Sequence, residues 1–191
     1  HGLNAQEDFS DRPTSIFSAW TTIFGAEGSH RAIRGPFEGF SIDYAEQRGS
    51  GNCVSKDVWT QMASPYPMQI ANNNDGTVTV HVEEYDTIRS VHMDVDHNDP
   101  GTFKNNLGYS TGRMVSGTLL MITTFEGSNS LIQLHESFSL SNDHNRLNYS
   151  LVMVNPESDD LPIVHTKWWE FQPNSYVQPY DCIDHPQFDG Q

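Results

Sequence analysis

The sequence predicts an all-β protein built as a single antiparallel β-barrel of about eight to ten strands. Three observations support this fold class. Short segments of alternating apolar and polar residues fill most of the chain, turn residues separate them, and no strand–helix–strand alternation occurs. Closure into a barrel removes the strand edges that an open sheet would expose. A β-sandwich is the competing topology.

Each strand is predicted from period-two alternation or from a β-rich apolar run bounded by turn residues. Strands are expected over residues 39–46, 54–62, 68–70, 77–84, 88–93, 118–125, 130–140, 146–154 and 163–171. The sequence Asn-Asn-Asn-Asp-Gly at 72–76 is a strong turn signal, and residues 94–106 are predicted to form a long polar loop.

The two ends of the chain are expected to lie outside the regular strand pattern. Residues 14–24 are the best helix candidate, because their apolar positions fall near helical spacing before Gly25. We expect this short helix, within an N-terminal arm of residues 1–30, to cover one mouth of the barrel. Residues 173–191 are predicted to form an irregular C-terminal tail. The whole chain is predicted to be one β-barrel domain.

Composition and charge limit the partners. Of 191 residues, 36% are hydrophobic and 11% are aromatic, which fits a barrel with a partly polar interior better than a disordered chain. The formal net charge of -15 repels phosphate backbones and anionic lipid headgroups, so we expect neither a nucleic-acid nor a membrane partner. No apolar run approaches membrane-spanning length. A small molecule is the expected partner, and a homodimer is left open.

Cysteine use and one glycosylation sequon predict a secreted or periplasmic protein. The two cysteines, Cys53 and Cys182, form an even set that fits a disulfide in an oxidising compartment, with two unrelated buried thiols as the alternative. Asn148 opens an Asn-Tyr-Ser sequon, which is an acceptor for N-glycosylation in a eukaryotic secretory pathway. The chain begins at His1 rather than Met, as a processed or trimmed chain would.

Residues 108–112 match the Gly-x-Ser-x-Gly string of a hydrolase nucleophile elbow. The elbow requires a strand-to-helix turn at the end of a parallel sheet, whereas here the residues that follow have a strand pattern. We therefore interpret the match as accidental, and Ser110 is not assigned as a nucleophile.

His92 and Asp94 are the candidate catalytic pair. They share one face of the strand at 88–93 and its extension. If this face points into the lumen, the two side chains form an acid/base pair inside a cavity; if it points outward, they are solvated. Asp94, Asp96 and Asn98 imitate the start of a calcium loop, but Asp99 replaces the glycine of the sixth position and Asn105 the glutamate of the twelfth. We therefore interpret residues 96–99 as a solvated acidic loop. We expect no metal site and no cofactor.

Further polar residues on predicted strands are candidate substrate contacts. Glu83 and Arg89 flank a hairpin turn, where a cross-strand ion pair is the structural alternative. His135 and Glu136 are neighbours on one strand, so one of them faces inward and the other outward.

Several stretches resemble a broad family of poorly characterised secreted or periplasmic bacterial proteins. They are Pro65-Tyr66-Pro67 with Ile70, the run 78–94 with Glu83, Arg89, His92 and Asp94, the run 107–112 with Thr118-Leu119, His135-Glu136-Ser137-Phe138, Thr166-Lys167-Trp168 and Cys182. This resemblance spans most of the chain, from about Cys53 to Cys182. It implies a lipocalin-like (calycin-like) barrel and implies no particular reaction.

The chain departs from this family at three places. The family has Asp-Gly-Arg where this chain has Asp-Val-Asp at 94–96, and Trp-Glu-Gly-Asp where it has Met-Val-Ser-Gly at 114–117. Family members carry a carboxylate at the position of Ile122. If those residues perform the family's chemistry, this protein has lost or changed it.

In overall character the chain is also similar to the fungal secreted barrel cyclases of the hetero-Diels–Alderase type, which act in tropolone–sesquiterpenoid pathways. The shared features are a small acidic chain, a lone sequon and an aromatic-rich, lysine-poor composition.

These observations favour an enzyme that dehydrates, isomerises or cyclises a small, partly apolar metabolite inside the barrel, by a pericyclic route in the hetero-Diels–Alder case. Such chemistry needs a shaped, dry cavity and a few donors. His92 and Asp94 are assigned as acid and base, Tyr109 and Glu136 as residues that orient the substrate, and Trp168 as a wall of the pocket.

Two other functions remain open. The first is a binding protein of lipocalin type without turnover, which an all-apolar lumen would favour. The second is a lyase or dehydratase acting on unsaturated sugar acids, for which Arg89 or Arg113 would have to bind the substrate carboxylate.

Overall fold

A computed structural model of the chain describes residues 12–21, 30–33, 57–63, 66–97, 107–126, 131–156, 159, 161–171 and 176–180. The strands in these ranges are β1 (Ala19–Thr21), β2 (His30–Ile33), β3 (Met68–Asn72), β4 (Thr77–Val82), β5 (Thr87–Met93), β6 (Tyr109–Val115), β7 (Thr118–Glu126), β8 (Leu131–Leu140), β9 (Arg146–Val154) and β10 (Ile163–Phe171). One short helix, α1, spans Val58–Ala63, and a 3-10 turn spans Glu84–Asp86. No helix of the described residues is long and apolar enough to cross a membrane.

Strand β4 shows how the sequence specifies an inner and an outer face. Val78, Val80 and Val82 are at most 2% exposed, while the residues between them are half-buried. Because successive side chains of a strand point to opposite faces, the three valines lie together on the inner face. Burying a side chain of this kind completely contributes about 1.5–3 kcal/mol by removal from water.

The strands close into a nine-stranded barrel. Their hydrogen-bonded order is β1-β3-β4-β5-β6-β7-β8-β9-β10, and β1 pairs again with β10. Strand β2 pairs with another stretch of β10. Neighbouring strands are antiparallel except β5 and β6, which are parallel. The predicted all-β barrel is therefore confirmed, with one parallel pair that the sequence reading did not foresee.

The predicted N-terminal helix at 14–24 is wrong for the residues of that segment that the structure describes. Residues Ala19–Thr21 form β1, and Trp20 pairs with Met68 on one side and with Phe171 on the other. Ile16 and Trp20, whose spacing suggested a helix, are both completely buried in the core. The strand is favoured because it closes the sheet and pairs backbone groups on two neighbours at once.

The segment predicted as a strand at 54–62 also differs. Its described part contains α1, whose Val58 and Met62 are fully buried. These two residues are four apart, so a helix places both on one face, against the barrel. On the same helix Gln61 Nε2 donates a hydrogen bond to the carbonyl oxygen of Glu84 at 2.9 Å. The helix thus covers the barrel end that carries the 3-10 turn.

Part of the C-terminal tail lies against the same end. Residues 176–180 have no regular structure, as predicted. The Gln178 N–H donates to Glu83 Oε2 at 3.1 Å, and the Tyr180 N–H donates to Asp86 Oδ2 at 3.2 Å. These bonds hold the tail segment on the 3-10 turn.

Several predictions concern residues outside the described ranges. The strand expected at 39–46 and the two cysteines, Cys53 and Cys182, belong to this group. The disulfide between them stays a prediction.

Candidate functional site

The interior of the barrel contains a buried ion pair between Arg89 and Glu136. Arg89 points inward from β5 and Glu136 from β8, and their side chains are at most 1% exposed. Arg89 Nη2 lies 2.6 Å from Glu136 Oε2, and Nη1 lies 3.1 Å from Oε1. This two-bond geometry fits the planar guanidinium to the planar carboxylate, which is the arrangement that best offsets the desolvation of both charges.

Three hydroxyl groups complete this interior network. The Tyr149 hydroxyl donates to Glu136 Oε1 at 2.8 Å, and Thr123 Oγ1 donates to Oε2 at 2.9 Å. Arg89 Nη2 donates to Thr123 Oγ1 at 2.9 Å, and Ser110 Oγ lies 2.8 Å from the same oxygen. These five side chains hydrogen-bond to one another and come from five consecutive strands, β5 to β9, so we interpret the cluster as fixing the register of those five strands.

Electrostatics keep this network in a defined protonation state. Burial alone would lower the pKa of Arg89, but the charge of Glu136 and its hydrogen bonds outweigh burial, so the pKa of Arg89 is raised. Burial, together with the charge of Glu136, raises the pKa of Tyr149 well above its usual range. At neutral pH Arg89 is therefore a cation and Tyr149 a neutral hydroxyl donor.

A second polar group of the interior lies on β10. His165 and Lys167 both face inward and are 3% exposed. Lys167 Nζ lies 4.1 Å from the centre of the Trp169 ring, and the ring of His165 is 5.7 Å from that of Trp59 on α1. Burial lowers the pKa of Lys167 to about 7, against the pull of the Glu84 charge, which raises it.

A groove with a volume of about 690 Å³ lies on the outer face of β6 to β9. We call it the outer groove. Its lining residues are Asp94, Val95, Asp96, His97, Thr111, Gly112, Arg113, Leu120, Met121, Ile122, His135, Glu136, Ser137, Ser150 and Val152. Of these, Met121 and Glu136 are buried residues of the groove wall, and the Glu136 carboxylate is bonded to Arg89 on the interior side. Outward-facing Leu120, Ile122 and Val152 give it an apolar floor, because strand alternation places them on the face opposite the core. Among the described residues, no group of three or more His, Cys, Asp or Glu is arranged to hold a metal ion.

His97 is fixed at the edge of the outer groove by two threonines. Its Nδ1 lies 2.8 Å from Thr111 Oγ1, and its Nε2 lies 2.7 Å from Thr124 Oγ1. Partial burial, reinforced by the charge of His135, lowers the pKa of His97. His97 is therefore neutral at pH 7, with one ring nitrogen donating and the other accepting.

The structure brings three of the predicted site residues together, on the outer face rather than in the lumen. The rings of His92 and Tyr109 stack at 4.9 Å, and Tyr109 stacks on His97 at 5.9 Å. Asp94 lines the outer groove, and its N–H donates to the Gly112 carbonyl oxygen at 2.8 Å. The sequence left open whether the face of β5 that contains His92 points into the lumen or outward. In the structure it points outward.

The other predicted residues lie apart from this group. Arg89 pairs with Glu136 in the interior rather than with Glu83, whose carboxylate accepts a hydrogen bond from Gln178. Trp168 faces outward, with the Arg146 guanidinium 4.2 Å from its ring centre. The tryptophan of the interior wall is instead its neighbour, Trp169.

Two of the sequence motifs are also placed by the structure. Ser110 lies within β6 and points into the core, so it has none of the strand-to-helix geometry of a nucleophile elbow. Asn148 is exposed on the outer face of β9, where a sequon is accessible.

The sequence did not lead us to predict the two threonine hydroxyls that bond His97, and we expected the loop around His97 to be solvated. One signal was available. Ser110-Thr111 on β6 and Thr123-Thr124 on β7 are consecutive hydroxyl residues, and consecutive residues of a strand serve opposite faces. Each pair therefore supplies one hydroxyl to the interior network and one to His97.

Comparison of the chain with protein-family models, with curated proteins and with solved structures gave no match. The two resemblances set out from the sequence therefore stay predictions.

Proposed function

We propose that this protein is an enzyme that transfers protons on a small, partly apolar metabolite bound in the outer groove, and so dehydrates, isomerises or cyclises it. The observation that carries the proposal is the composition of the groove. An apolar floor is surrounded by ionisable groups of both signs, in a volume of about 690 Å³. Ligand sites of about 300–1,000 Å³ with an apolar lining and a few placed polar groups are typical of small-molecule sites.

Within this site, His135 and Asp94 are the proposed acid and base. Both line the groove, and His135 is exposed on β8 between Ile122 and Val152 of the neighbouring strands. Imidazole and carboxylate side chains are the commonest general acids and bases. Arg113 on the same rim would bind an anionic substituent of the substrate.

His97 and His92 are proposed to position the reacting groups. His97 holds the Thr111 hydroxyl at the groove wall, and His92 acts through the ring of Tyr109. A rigid polar wall of this kind orients a substrate without taking part in bond making.

Turnover of metabolites from the source organism's own extract tests the proposal. We expect the wild-type protein to alter one metabolite, and His135→Gln to slow this reaction by about 100-fold or more, the usual contribution of a general acid–base group. The matched control is His81→Gln on the outer face of β4, which should react as the wild type. If His135→Gln reacts at the wild-type rate, the assignment of the groove as a catalytic site is refuted.

A binding protein without turnover is the second candidate. This function is favoured because both ring nitrogens of His97 are hydrogen-bonded to threonine hydroxyls, so this imidazole has a structural role and does not act as an acid or base. If the protein is a binder, native mass spectrometry after incubation with the same extract should show a bound metabolite that is released unchanged. A sugar-acid lyase has less support. Of the two arginines expected to bind the substrate carboxylate, Arg89 is paired with Glu136 in the interior, and only Arg113 lines the groove.

A further inference from the structure

The strand register orders four of the residues that line the outer groove into one row across the sheet. Arg113 on β6 pairs with Leu120 on β7. Leu120 pairs with Ser137 on β8, and Ser137 pairs with Ser150 on β9. All four line the groove, and we call them the anchor row. A cation thus lies at one end of the anchor row, an aliphatic side chain in its middle, and two hydroxyls at the other end.

The polar groups of the anchor row are available to a ligand. Within the described part of the chain, Arg113 takes part in no ion pair, and no side-chain hydrogen bond joins it to another residue. The hydroxyls of Ser137 and Ser150 likewise have no partner among the described residues. A guanidinium binds a carboxylate with two parallel hydrogen bonds, and a hydroxyl can donate to or accept from a neutral oxygen. The row therefore offers one site for an anion and one for a neutral polar group.

The spacing of the strands sets the length of a ligand that reaches both ends of the anchor row. Strand β7 lies between β6 and β8, so Arg113 and Ser137 are two strand spacings apart, roughly 10 Å. Leu120 lies between them, and Ile122 follows it on the same face of β7. A ligand that contacts both ends must therefore cross an aliphatic surface, which favours an apolar body between its polar groups.

The wall of the groove beside Arg113 limits the charge of the ligand. Met93 pairs with Gly112 in the parallel ladder of β5 and β6, so Asp94 follows beside Arg113, and Asp96 lines the groove next to it. One guanidinium can neutralise one carboxylate. A second negative charge on the ligand would lie near two aspartates and be repelled by them. The groove therefore favours a monoanion over a phosphate or a dicarboxylate.

We propose that the ligand of the outer groove is a monocarboxylic acid with a rigid apolar body and a hydroxyl or carbonyl oxygen at the end opposite the carboxylate. Arg113 binds the carboxylate, the body lies on Leu120 and Ile122, and the distal oxygen bonds to the serine end of the anchor row. This inference rests on the proposed function for its site and adds the class of substrate. His135 is two positions before Ser137 on the same face of β8, so protons are transferred near the distal oxygen and not at the carboxylate.

Isothermal titration of the full chain at pH 7 with four related compounds tests this inference. 4-Hydroxycinnamate has both polar ends, its methyl ester lacks the charge, cinnamate lacks the distal oxygen, and 4-carboxycinnamate carries a second charge. We expect 4-hydroxycinnamate to bind at least about tenfold more tightly than the ester, and about two- to tenfold more tightly than cinnamate, because hydrogen bonds to charged groups are the stronger ones. 4-Carboxycinnamate should bind more weakly than 4-hydroxycinnamate, because its second charge lies in a field that is already negative.

Variants at the two ends of the anchor row assign the contacts. Arg113→Gln should weaken 4-hydroxycinnamate by about tenfold or more and leave the ester unchanged, whereas Arg146→Gln, outside the groove, should change neither. The double variant Ser137→Ala/Ser150→Ala should weaken 4-hydroxycinnamate about two- to tenfold and leave cinnamate unchanged. Its control is Ser139→Ala, the next outward position of β8, which does not line the groove.

Equal affinity for 4-hydroxycinnamate and its methyl ester, or no binding of 4-hydroxycinnamate at millimolar concentration, would overturn the inference. Both results come from the wild-type chain, so they do not depend on whether a variant folds. The proposed catalytic function fails separately. If 4-hydroxycinnamate binds through Arg113 while His135→Gln turns over metabolites at the wild-type rate, the ligand class stands and the groove only binds. If the acid and ester bind equally while His135→Gln slows turnover, the ligand class is wrong and the catalytic site stands.

Discussion

Thr123 and Thr124 are consecutive residues of β7 whose hydroxyls serve opposite sides of the barrel wall. Thr123 Oγ1 donates to the Glu136 carboxylate in the interior at 2.9 Å, and Thr124 Oγ1 lies 2.7 Å from His97 Nε2 on the outer face. The same strand therefore supports a buried ion pair and one wall of the candidate site. Changes on the two faces should have separable effects.

Valine substitutions at these two positions test that separation, because valine matches threonine in shape and lacks the hydroxyl. Thr123→Val removes a hydrogen bond to a buried charge and should lower the free energy of unfolding by about 1–3 kcal/mol. Thr124→Val should change stability much less and should instead alter the His97 imidazole signals. Urea unfolding and histidine NMR measure the two effects. Equal destabilisation by both variants would contradict the assignment of faces.

The Arg89–Glu136 pair should show strong coupling in a double-mutant cycle. Arg89→Met leaves the Glu136 carboxylate buried without its cation, and Glu136→Gln leaves the guanidinium without its anion, so each single change should cost about 3–5 kcal/mol. The double variant should lose clearly less than the sum of the two, because no uncompensated charge remains. Additive losses, measured by urea unfolding, would show that the two charges do not stabilise each other.

Lys167 should make the stability of the protein depend on pH above neutrality. Its pKa is about 7 in the folded chain and near its ordinary 10.5 when unfolded, so between these values the unfolded chain binds one more proton. Raising the pH from 7 to 9.5 should therefore increase the folding equilibrium constant, by at most about tenfold per pH unit. The full penalty for burying the charge is present below pH 7. Lys167→Met should lack this rise in urea-unfolding measurements, and a wild-type curve that is flat over the interval would refute the lowered pKa.

His97 should titrate below the ordinary histidine pKa of 6.5 in an NMR titration of the imidazole signals. Partial burial is the larger cause and the charge of His135 the smaller one. Replacing His135 with Gln should therefore raise the pKa of His97 only in part and leave it below 6.5. The corresponding contribution to stability is present above pH 6.5 and is lost as the pH falls below it. A His97 pKa at or above 6.5 in the wild type would contradict its burial between Thr111 and Thr124.

Much of the barrel could be predicted from alternation alone. The period-two pattern of 77–84 corresponds to β4, and the runs at 118–125, 146–154 and 163–171 correspond closely to β7, β9 and β10. Local sequence patterns gave the wrong secondary structure where pairing with strands distant in sequence determines it. Residues 19–21 became a strand because β3 and β10 offer backbone partners on both sides, and those partners lie far away in sequence.

The candidate site was less accessible to sequence reasoning. His92 and Asp94 were predicted from their shared strand face and Tyr109 as a residue that orients the substrate, and the three do lie close to one groove. Their face could not be deduced, because it depends on the register with β4 and β6. His97 was missed because its partners, Thr111 and Thr124, belong to strands that only the fold brings beside it.

The most direct test of the central claim is to block the outer groove and observe ligand binding by NMR. Small, partly apolar hydroxy acids and enones would be screened against the imidazole signals of the protein. We predict that a binding compound shifts His97 and His135 but not His81, and that Ile122→Trp, which fills the groove floor, abolishes the shifts while Ser90→Trp on the outer face of β5 does not. Binding that persists unchanged in a folded Ile122→Trp protein would contradict the account, because the ligand would then lie somewhere other than the groove.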